Sequence, residues 1–257
     1  MTVATPEGHG LLAGRVAVVT AAAGTGIGGA TARRLLAEGA TVVVSDVHAG
    51  RLDTAVAELT AAAPGRVHGA VCDVTAAGAF EALFDEVEQV AGPLDVVVNN
   101  AGLGGSAPLV EMSDEQWGRV LAVSLGSTFR STRAALRRLL PRGRGAIVNV
   151  ASVTGWRAEA GQAHYAAAKA GVMALTRCAA VEAAPAGVRV NAVAPTLAMH
   201  PFLARAVSEE ELAHWASVQP QGRAADPAEV AAMITFLASD YASYLTGEVV
   251  SVGAQHA

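Results

Sequence analysis

The sequence predicts one α/β domain, a doubly wound parallel sheet of about seven strands with helices on both faces. Two observations carry this. Short apolar runs rich in β-branched residues, such as VAVVT from Val16 and TVVVSD from Thr41, alternate with longer segments of helical period. Strands buried on both faces read as continuous apolar runs of this kind. The chain is also long and apolar enough for one sizeable core, with 257 residues of which 52% are hydrophobic and 16% charged.

Residues 1–14 mix glycine, proline and threonine without periodicity, which predicts a flexible arm ahead of a single domain over 15–257. VAVVT opens the domain, the glycine-rich AAAGTGIGG follows, and TARRLLAEGA suits a helix ending at Gly39. The alternation continues with TVVVSD, RLDTAVAEL, RVHGAVCD, FEALFDEVEQV and LDVVVNN. A long helical segment from about Ser113 to Leu139 comes next, then the strand GAIVNVAS and a helix through Tyr165 and Lys169. The strand VRVNAVAP, a helix after Asp226-Pro227 and the strand GEVVSV complete the chain, which has no internal repeat or low-complexity linker.

A net charge of −5 lacks the basic surplus of a nucleic-acid binder and favours a small-molecule partner. No apolar run reaches the ~18 residues of a membrane span, and the first residues lack the order of a signal peptide, so a cytoplasmic protein without membrane partners is expected. Cys72 and Cys178 lie far apart on apolar patterns and are expected as buried free thiols, with no disulfide and no metal site.

In such a sheet, ligands bind at the carboxyl ends of the strands, and the turn after the first strand is the usual pyrophosphate site of a Rossmann-type domain. Between Thr20 and Gly28 the glycines remove side chains where backbone N–H groups and the positive end of a helix must reach phosphate. Asp46, 18 residues after Gly28, ends the second strand. Its carboxylate can accept both hydroxyls of a ribose and would repel a 2′-phosphate, and no arginine adjoins it in sequence, so NAD is favoured over NADP. Asp73 either meets the adenine amino group or caps the segment that follows. Asn99-Asn100-Ala101-Gly102 ends the fourth strand, where amides can tie loops together and small residues admit a cofactor.

Lys169 is the only lysine, the other 17 basic residues being arginine, and it stands four residues after Tyr165, one of three tyrosines. The two share a helical face. Oxidising an alcohol requires a proton to leave its oxygen, and a phenol with pKa near ~10 is a poor base at neutral pH unless a positive charge stands beside it. A compact ammonium fits this place better than the wide guanidinium fork. Ser152 ends a strand facing the same cleft.

These features, in this order and spacing, resemble the short-chain dehydrogenase/reductase family from Val16 to about Val252. The glycine turn, Asp46, Asp73, the NNAG stretch, a serine 13 residues before the tyrosine, the YxxxK pair and Asn191 to Pro195 carry the likeness. It implies that Ser152 binds the substrate oxygen, that Tyr165 transfers the proton, and that Lys169 holds the nicotinamide ribose while acidifying the tyrosine. The implied cofactor contacts are Thr20, Ala22, Gly24, Gly26, Ile27 and Gly28 in the turn, then Asp46, Asp73 and Val74. Asn100, Ala101 and Gly102 join Tyr165, Lys169, Pro195, Thr196 and Ala198 around the nicotinamide half. A homotetramer is also implied, and the nearly apolar Tyr165 helix and the Ser113 to Leu139 helix are expected at its interface.

Four departures stand out. The glycine turn is one residue longer than the usual form, with Ala21 at its first glycine position. Ser124 replaces an asparagine that anchors a relay water, and is expected to act in catalysis by holding that water. Thr196 follows Pro195 where the family has glycine, with His200 at the carboxamide-binding threonine, and the tail SVGAQHA replaces Asp-Gly-Gly. The turn, Ser124, APTLAMHPFL and the tail are similar to a bacterial subgroup associated with steroid-ring breakdown, in which a ring hydroxyl on an acid or CoA ester is oxidised. A substrate lid is expected over 196–223, where His200, Phe202 and Trp215 are candidate contacts, with Trp156 lining the entrance. The leading expectation is an NAD-dependent oxidoreductase interconverting a secondary alcohol and a ketone on a bulky alicyclic or acyl-type substrate. A 3-oxoacyl-ACP or CoA reductase and a catalytically silent NAD-binding subunit are the alternatives.

Overall fold

A computed structural model describes residues 6–157, 159–199 and 208–253. Among them a seven-stranded sheet has the order β3-β2-β1-β4-β5-β6-β7 with every neighbouring pair parallel. The strands are β1 (Val16–Thr20), β2 (Thr41–Asp46), β3 (Val67–Val71), β4 (Val96–Asn99), β5 (Gly145–Val150), β6 (Val188–Pro195) and β7 (Val249–Val252). Chain order reverses between β1 and β4, which places the switch-point crevice beside Thr20 and Asn100.

Alternation along the strands produces two cores. Ala17, Val19, Val42 and Val44 face α1 (Ile27–Ala37), α2 (Ala49–Ala62) and the late helix Pro227–Ala238 through Leu35, Leu52, Ile234 and Leu237. Val18, Val43, Val97 and Ile147 face the opposite core, built on Phe80 and Phe84 of α3 (Ala79–Ala91), Leu139 and Ala179. The predicted long helix starts on a Ser113–Gln116 capping box and runs as α4 (Asp114–Leu121), a π turn at Ala122–Gly126, and α5 (Ser127–Arg142). The catalytic candidates Tyr165 and Lys169 lie on α6 (Ala163–Ala183), and α7 (Glu209–Ser217) precedes the Pro227–Ala238 helix, α8.

The described part of the arm, residues 6–14, is exposed over most of its length but tied at a few points: the buried Glu38 carboxylate accepts from His9 N at 2.8 Å and Leu11 N at 3.1 Å, and Leu12 is 1% exposed. Arg34 pairs with the same carboxylate and donates to the Pro6 carbonyl, so the arm's backbone finds partners that its sequence does not reveal. One expectation needs correction: Cys178, expected to be buried, is exposed on the outer face of α6, whereas Cys72 is buried; both are free thiols. Among the described residues no helix is long and apolar enough to cross a membrane, and no cluster of three metal-ligating side chains occurs.

Candidate active site

The carboxyl edge of the sheet gathers the glycine turn, the NNAG stretch, Ser152 and the start of α6. Thr20, at the end of β1, is buried, and its hydroxyl accepts from Asn100 N at 3.0 Å and Ala101 N at 3.1 Å. Asn100 returns the link by donating from Nδ2 to the carbonyls of Thr20 and Ala21, both at 3.0 Å. Ala21 adopts φ 50°, a left-handed conformation that costs a residue with a Cβ roughly 1–2 kcal/mol. Glycine serves there without that cost, which is the physical content of the missing family glycine.

The turn fits a dinucleotide phosphate. Nothing lies within 4 Å of a Cβ built on Gly24, whereas one on Gly28 would sit 2.5 Å from Asn100 Nδ2 and 2.6 Å from the Ala21 carbonyl. Gly26 caps α1 in extended conformation with no side-chain hydrogen bond, so the first-turn N–H groups, beginning with Ile27, are left for an anion. Ala22 is different from the reading of the sequence: it is buried and its N–H donates to the Ser45 carbonyl at 3.0 Å, so that group is already used inside the protein.

Asp46 is 7% exposed and accepts from His48 N at 3.1 Å. Arg51 also reaches its Oδ1, at 3.4 Å. Sequence reasoning missed this arginine because it lies in the first turn of α2, five residues on, and only the path of the loop brings it back. Asp73 is exposed and accepts from Thr75 N at 2.8 Å and Thr75 Oγ1 at 2.6 Å, bonds that hold its carboxyl below the usual range. Of its two readings, the local cap is the one with bonds in place. The Val74 carbonyl beside it accepts from Arg130 on α5 at 2.9 Å.

Ser152 follows β5 and is 8% exposed; its Oγ donates to Thr154 Oγ1 and accepts from Thr154 N, both at 3.2 Å. Tyr165 is partly exposed as a residue, yet burial around its hydroxyl pushes the phenol pKa up; a hydrogen bond with Ser152 pulls it down, and the Glu159 charge raises it. Lys169 is 3% exposed, donates to the Val150 carbonyl at 2.6 Å, and stands 5.5 Å from the centre of the Tyr165 ring. Burial lowers its pKa to about 8. Gly102 lies alongside, where a Cβ would come within 3.3 Å of Lys169 Nζ, and Ala101 before it is buried. The serine, tyrosine and lysine thus meet as the spacing predicts.

Ser124 has a different use from the expected one. The π turn points its hydroxyl, fully buried, at Leu103, where it donates to the carbonyl and accepts from the N–H, both at 3.0 Å. The only hydroxyl proton is thereby committed, and the side chain pins the loop after NNAG instead of presenting a donor to the cleft.

Two departures explain each other. Thr196, after Pro195, donates from its N–H to the Val252 carbonyl at 3.1 Å, and a Cβ on Gly253 would lie 2.3 Å from Thr196 Cγ2. A threonine at 196 therefore requires a glycine at 253. The following residues are clasped to the base of α8: Ala198 bridges Ala225, with Met199 N bonded to the Ala225 carbonyl at 3.0 Å and Ala225 N to that of Leu197 at 2.8 Å. Arg223 makes a two-pronged pair with Glu229 at 2.7 and 2.8 Å. A cavity of about 220 Å³ opens here between Thr196, Gln219, Gln221, Arg223 and Gly253. Trp156 is 51% exposed just after the Ser152 turn, and Trp215 is half-buried on α7. His200 and Phe202 lie outside the described residues.

A doubly wound sheet with a bare phosphate turn, an acidic second strand end and a Ser–Tyr–Lys group on one edge defines the class of nicotinamide-dependent oxidoreductases acting on CH–OH groups. A family model described as enoyl-(acyl carrier protein) reductase matches residues 21–254, and the chain belongs to the short-chain dehydrogenase/reductase family. It is similar to (5R,7aS)-5-hydroxy-7a-methyl-1-oxo-2,3,5,6,7,7a-hexahydro-1H-indene-carboxyl-CoA reductase of Mycobacterium tuberculosis, 62% identical over 97% of this chain and 95% of that protein. Cis-4-hydroxycyclohexanecarboxylate dehydrogenase of Sinomonas cyclohexanicum is 46% identical over 93% of this chain and 94% of its own. A crystal structure of a short chain dehydrogenase from Mycobacterium smegmatis superposes with TM-score 0.89 at 54% identity, covering 100% of this chain and 99% of that one.

Proposed function

We propose that the protein is an NAD-dependent dehydrogenase that interconverts a ring hydroxyl and a ketone on an alicyclic acid or its CoA ester. The observation that carries this is the meeting of Ser152, Tyr165 and Lys169 beside a phosphate turn and Asp46, together with relatives named for alicyclic hydroxy acids and CoA esters. The bound nicotinamide supplies hydride transfer at the substrate carbon. Ser152 and the Tyr165 hydroxyl hold the substrate oxygen between them, and the phenol takes up or returns its proton. Lys169, already within reach of the tyrosine, steadies the phenolate by its charge and offers N–H donors to a ribose. The N–H groups at Gly26 and Ile27 would hold the pyrophosphate against the bare surface of Gly24, whose own N–H is bonded to the Ala22 carbonyl; Asp46 would hold the adenosine ribose, and Thr196 and Ala198 would flank the carboxamide. Asp46 argues against the rival reading as an NADPH-dependent 3-oxoacyl thioester reductase, although Arg51 tempers its charge.

Two free cysteines suit a reducing, cytoplasmic setting. The outer face of α6 exposes Ala167, Ala170 and Ala174 with Val181 at 77%, and Phe129 on α5 is 45% exposed. Such a face supports assembly of a homotetramer.

The test uses cis-4-hydroxycyclohexanecarboxylate and its CoA thioester with NAD. Wild-type protein turns over at least one of them, and Tyr165→Phe loses a factor of about 10² or more in kcat while binding NAD normally by titration calorimetry. Comparable turnover by the variant would sink the proton-transfer role.

A further inference from the structure

Ser152 leaves β5 and Tyr165 and Lys169 ride on α6, so the site exists only if strand and helix hold a fixed register. Most of the buried face of α6 is apolar, with Ala168, Val172, Met173, Ala179 and Ala183 among its residues. Contacts of that kind are non-directional and resist sliding weakly. A directional link lies beneath them. Asn149 of β5, 0% exposed, donates from Nδ2 to Thr176 Oγ1 of α6 at 2.9 Å, and Thr176, also 0% exposed, donates to the Val172 carbonyl at 2.8 Å. Asn149 Oδ1 accepts from Asn99 Nδ2 of β4 at 2.8 Å, and the same Nδ2 lies 3.4 Å from Thr132 Oγ1 on α5.

The polarity of this chain has one solution. A carbonyl only accepts, so Thr176 spends its proton on Val172 and must receive from an amide N–H; Asn149 then turns its oxygen toward Asn99. Thr176 follows Lys169 by seven residues, two helical turns on the same face. Asn149 precedes Val150, whose carbonyl holds the Lys169 ammonium at 2.6 Å, and stands three residues before Ser152. At the upper end the approach is steric: a Cβ on Gly155 would meet Ala170 N at 2.9 Å and the Lys169 carbonyl carbon at 3.0 Å. Helix α6 is therefore held near Lys169 by the Val150 bond and the bare Gly155 turn, and two turns deeper by the bond from Asn149 to Thr176.

We propose that Asn149 and Thr176 are positioning residues, which through the Asn99–Asn149–Thr176 hydrogen-bond chain set the distance of Tyr165 and Lys169 from Ser152. Both side chains are 0% exposed, beneath the site and closed off from a ligand in the cleft. Their effect passes through the placement of α6, and a misplacement of about 1 Å at a reacting group costs about 10² in rate. The glycine turn follows β1 and Asp46 ends β2, and both strands lie across β4 from β5 and α6, so the pyrophosphate and adenosine half of the proposed NAD site is untouched.

This inference rests on the function proposed above, and Tyr165→Phe tests that function separately. Thr176→Val keeps the shape of the side chain and removes its hydroxyl. It is compared with Thr176→Ser, which keeps the hydroxyl, using whichever of cis-4-hydroxycyclohexanecarboxylate or its CoA thioester the wild type oxidises faster. Melting is recorded alongside, and assays run well below each melting temperature. The expected result is a 10- to 100-fold fall in kcat for Thr176→Val, with KM for NAD within about threefold and the pH of half-maximal rate moved upward, and recovery in Thr176→Ser. A lowered melting temperature with wild-type kcat and pH profile, while Tyr165→Phe is inactive, overturns the inference and leaves the proposed function standing. If Thr176→Val does not fold, Asn149→Thr and Asn149→Val form the same pair with the same two outcomes.

Discussion

Replacing Lys169 by methionine should make the protein more stable and inactive. The lysine is 3% exposed and its pKa falls from 10.5 to about 8, with burial as the cause. At about 1.4 kcal/mol per pH unit, that fall means the charged form is disfavoured in the fold by about 3 kcal/mol. Methionine matches the length and apolar stem of lysine and forfeits the bond to Val150 and the ammonium's contact with the Tyr165 ring. Together these return on the order of 2 kcal/mol, which leaves a net gain of about 1 kcal/mol at pH 7. The sign follows from proton binding: between pH 8 and 10.5 the unfolded chain holds the lysine proton and the folded chain does not, so wild-type stability climbs with pH across that window. Urea unfolding of both proteins at pH 7, 9 and 10.5 would show the methionine variant ahead at pH 7 and the gap closing as pH rises. Both proteins are compared in a Tyr165→Phe background, which removes the phenol beside Lys169, so that the other groups titrating in that range are common to both chains and cancel. A variant that is less stable at pH 7, or a gap that does not narrow, would refute the view that a buried ammonium is carried at a cost for function.

Asp46→Ser should raise KM for NAD at least tenfold and improve use of NADP, since Arg51 is then released from its carboxylate partner and left facing the ribose; an unchanged NAD-to-NADP ratio of kcat/KM would remove Asp46 as the selector. Light scattering at micromolar concentration should report a mass near four chains, and introducing Ala170→Arg on the exposed face of α6 should reduce it. A monomeric wild type would end the tetramer proposal.

Strands, helices and the parallel, doubly wound sheet were legible because they rest on local patterns: β-branched runs, a glycine turn between strand and helix, and capping signals such as Asp226-Pro227; the order of the strands was not. Lys169 was legible for a different reason, as the one lysine in a chain that otherwise uses arginine. What escaped were pairs joined only by the folded path. Glu38 holds backbone groups 27 and 29 residues away, Thr196 fits Gly253 across 57 positions, and Ser124 meets Leu103 because a π turn redirects its side chain. The exposure of Cys178 escaped too, since an apolar helix that faces solvent on one side has the same sequence as one buried all round.

The glycine turn separates what the fold requires from what a ligand requires. Side chains at Gly28 and Gly29 would strike the protein itself, the second at 1.7 Å from the Gly24 carbonyl, so those two glycines are explained without any cofactor. Gly24 is in open space and its φ lies outside the left-handed range, so neither packing nor backbone conformation demands a glycine there. The chain nevertheless keeps its side chain absent at the point where the turn faces outward, and accepts at Ala21 a left-handed residue that costs about 1–2 kcal/mol. With the buried charge of Lys169, these unfavourable or unexplained choices gather at one edge of the sheet. Folding alone gives no reason for a bare Gly24 or a buried Lys169, and the dinucleotide proposed to lie from Gly24 to Lys169 gives one reason for both, while the strain at Ala21 has no structural explanation.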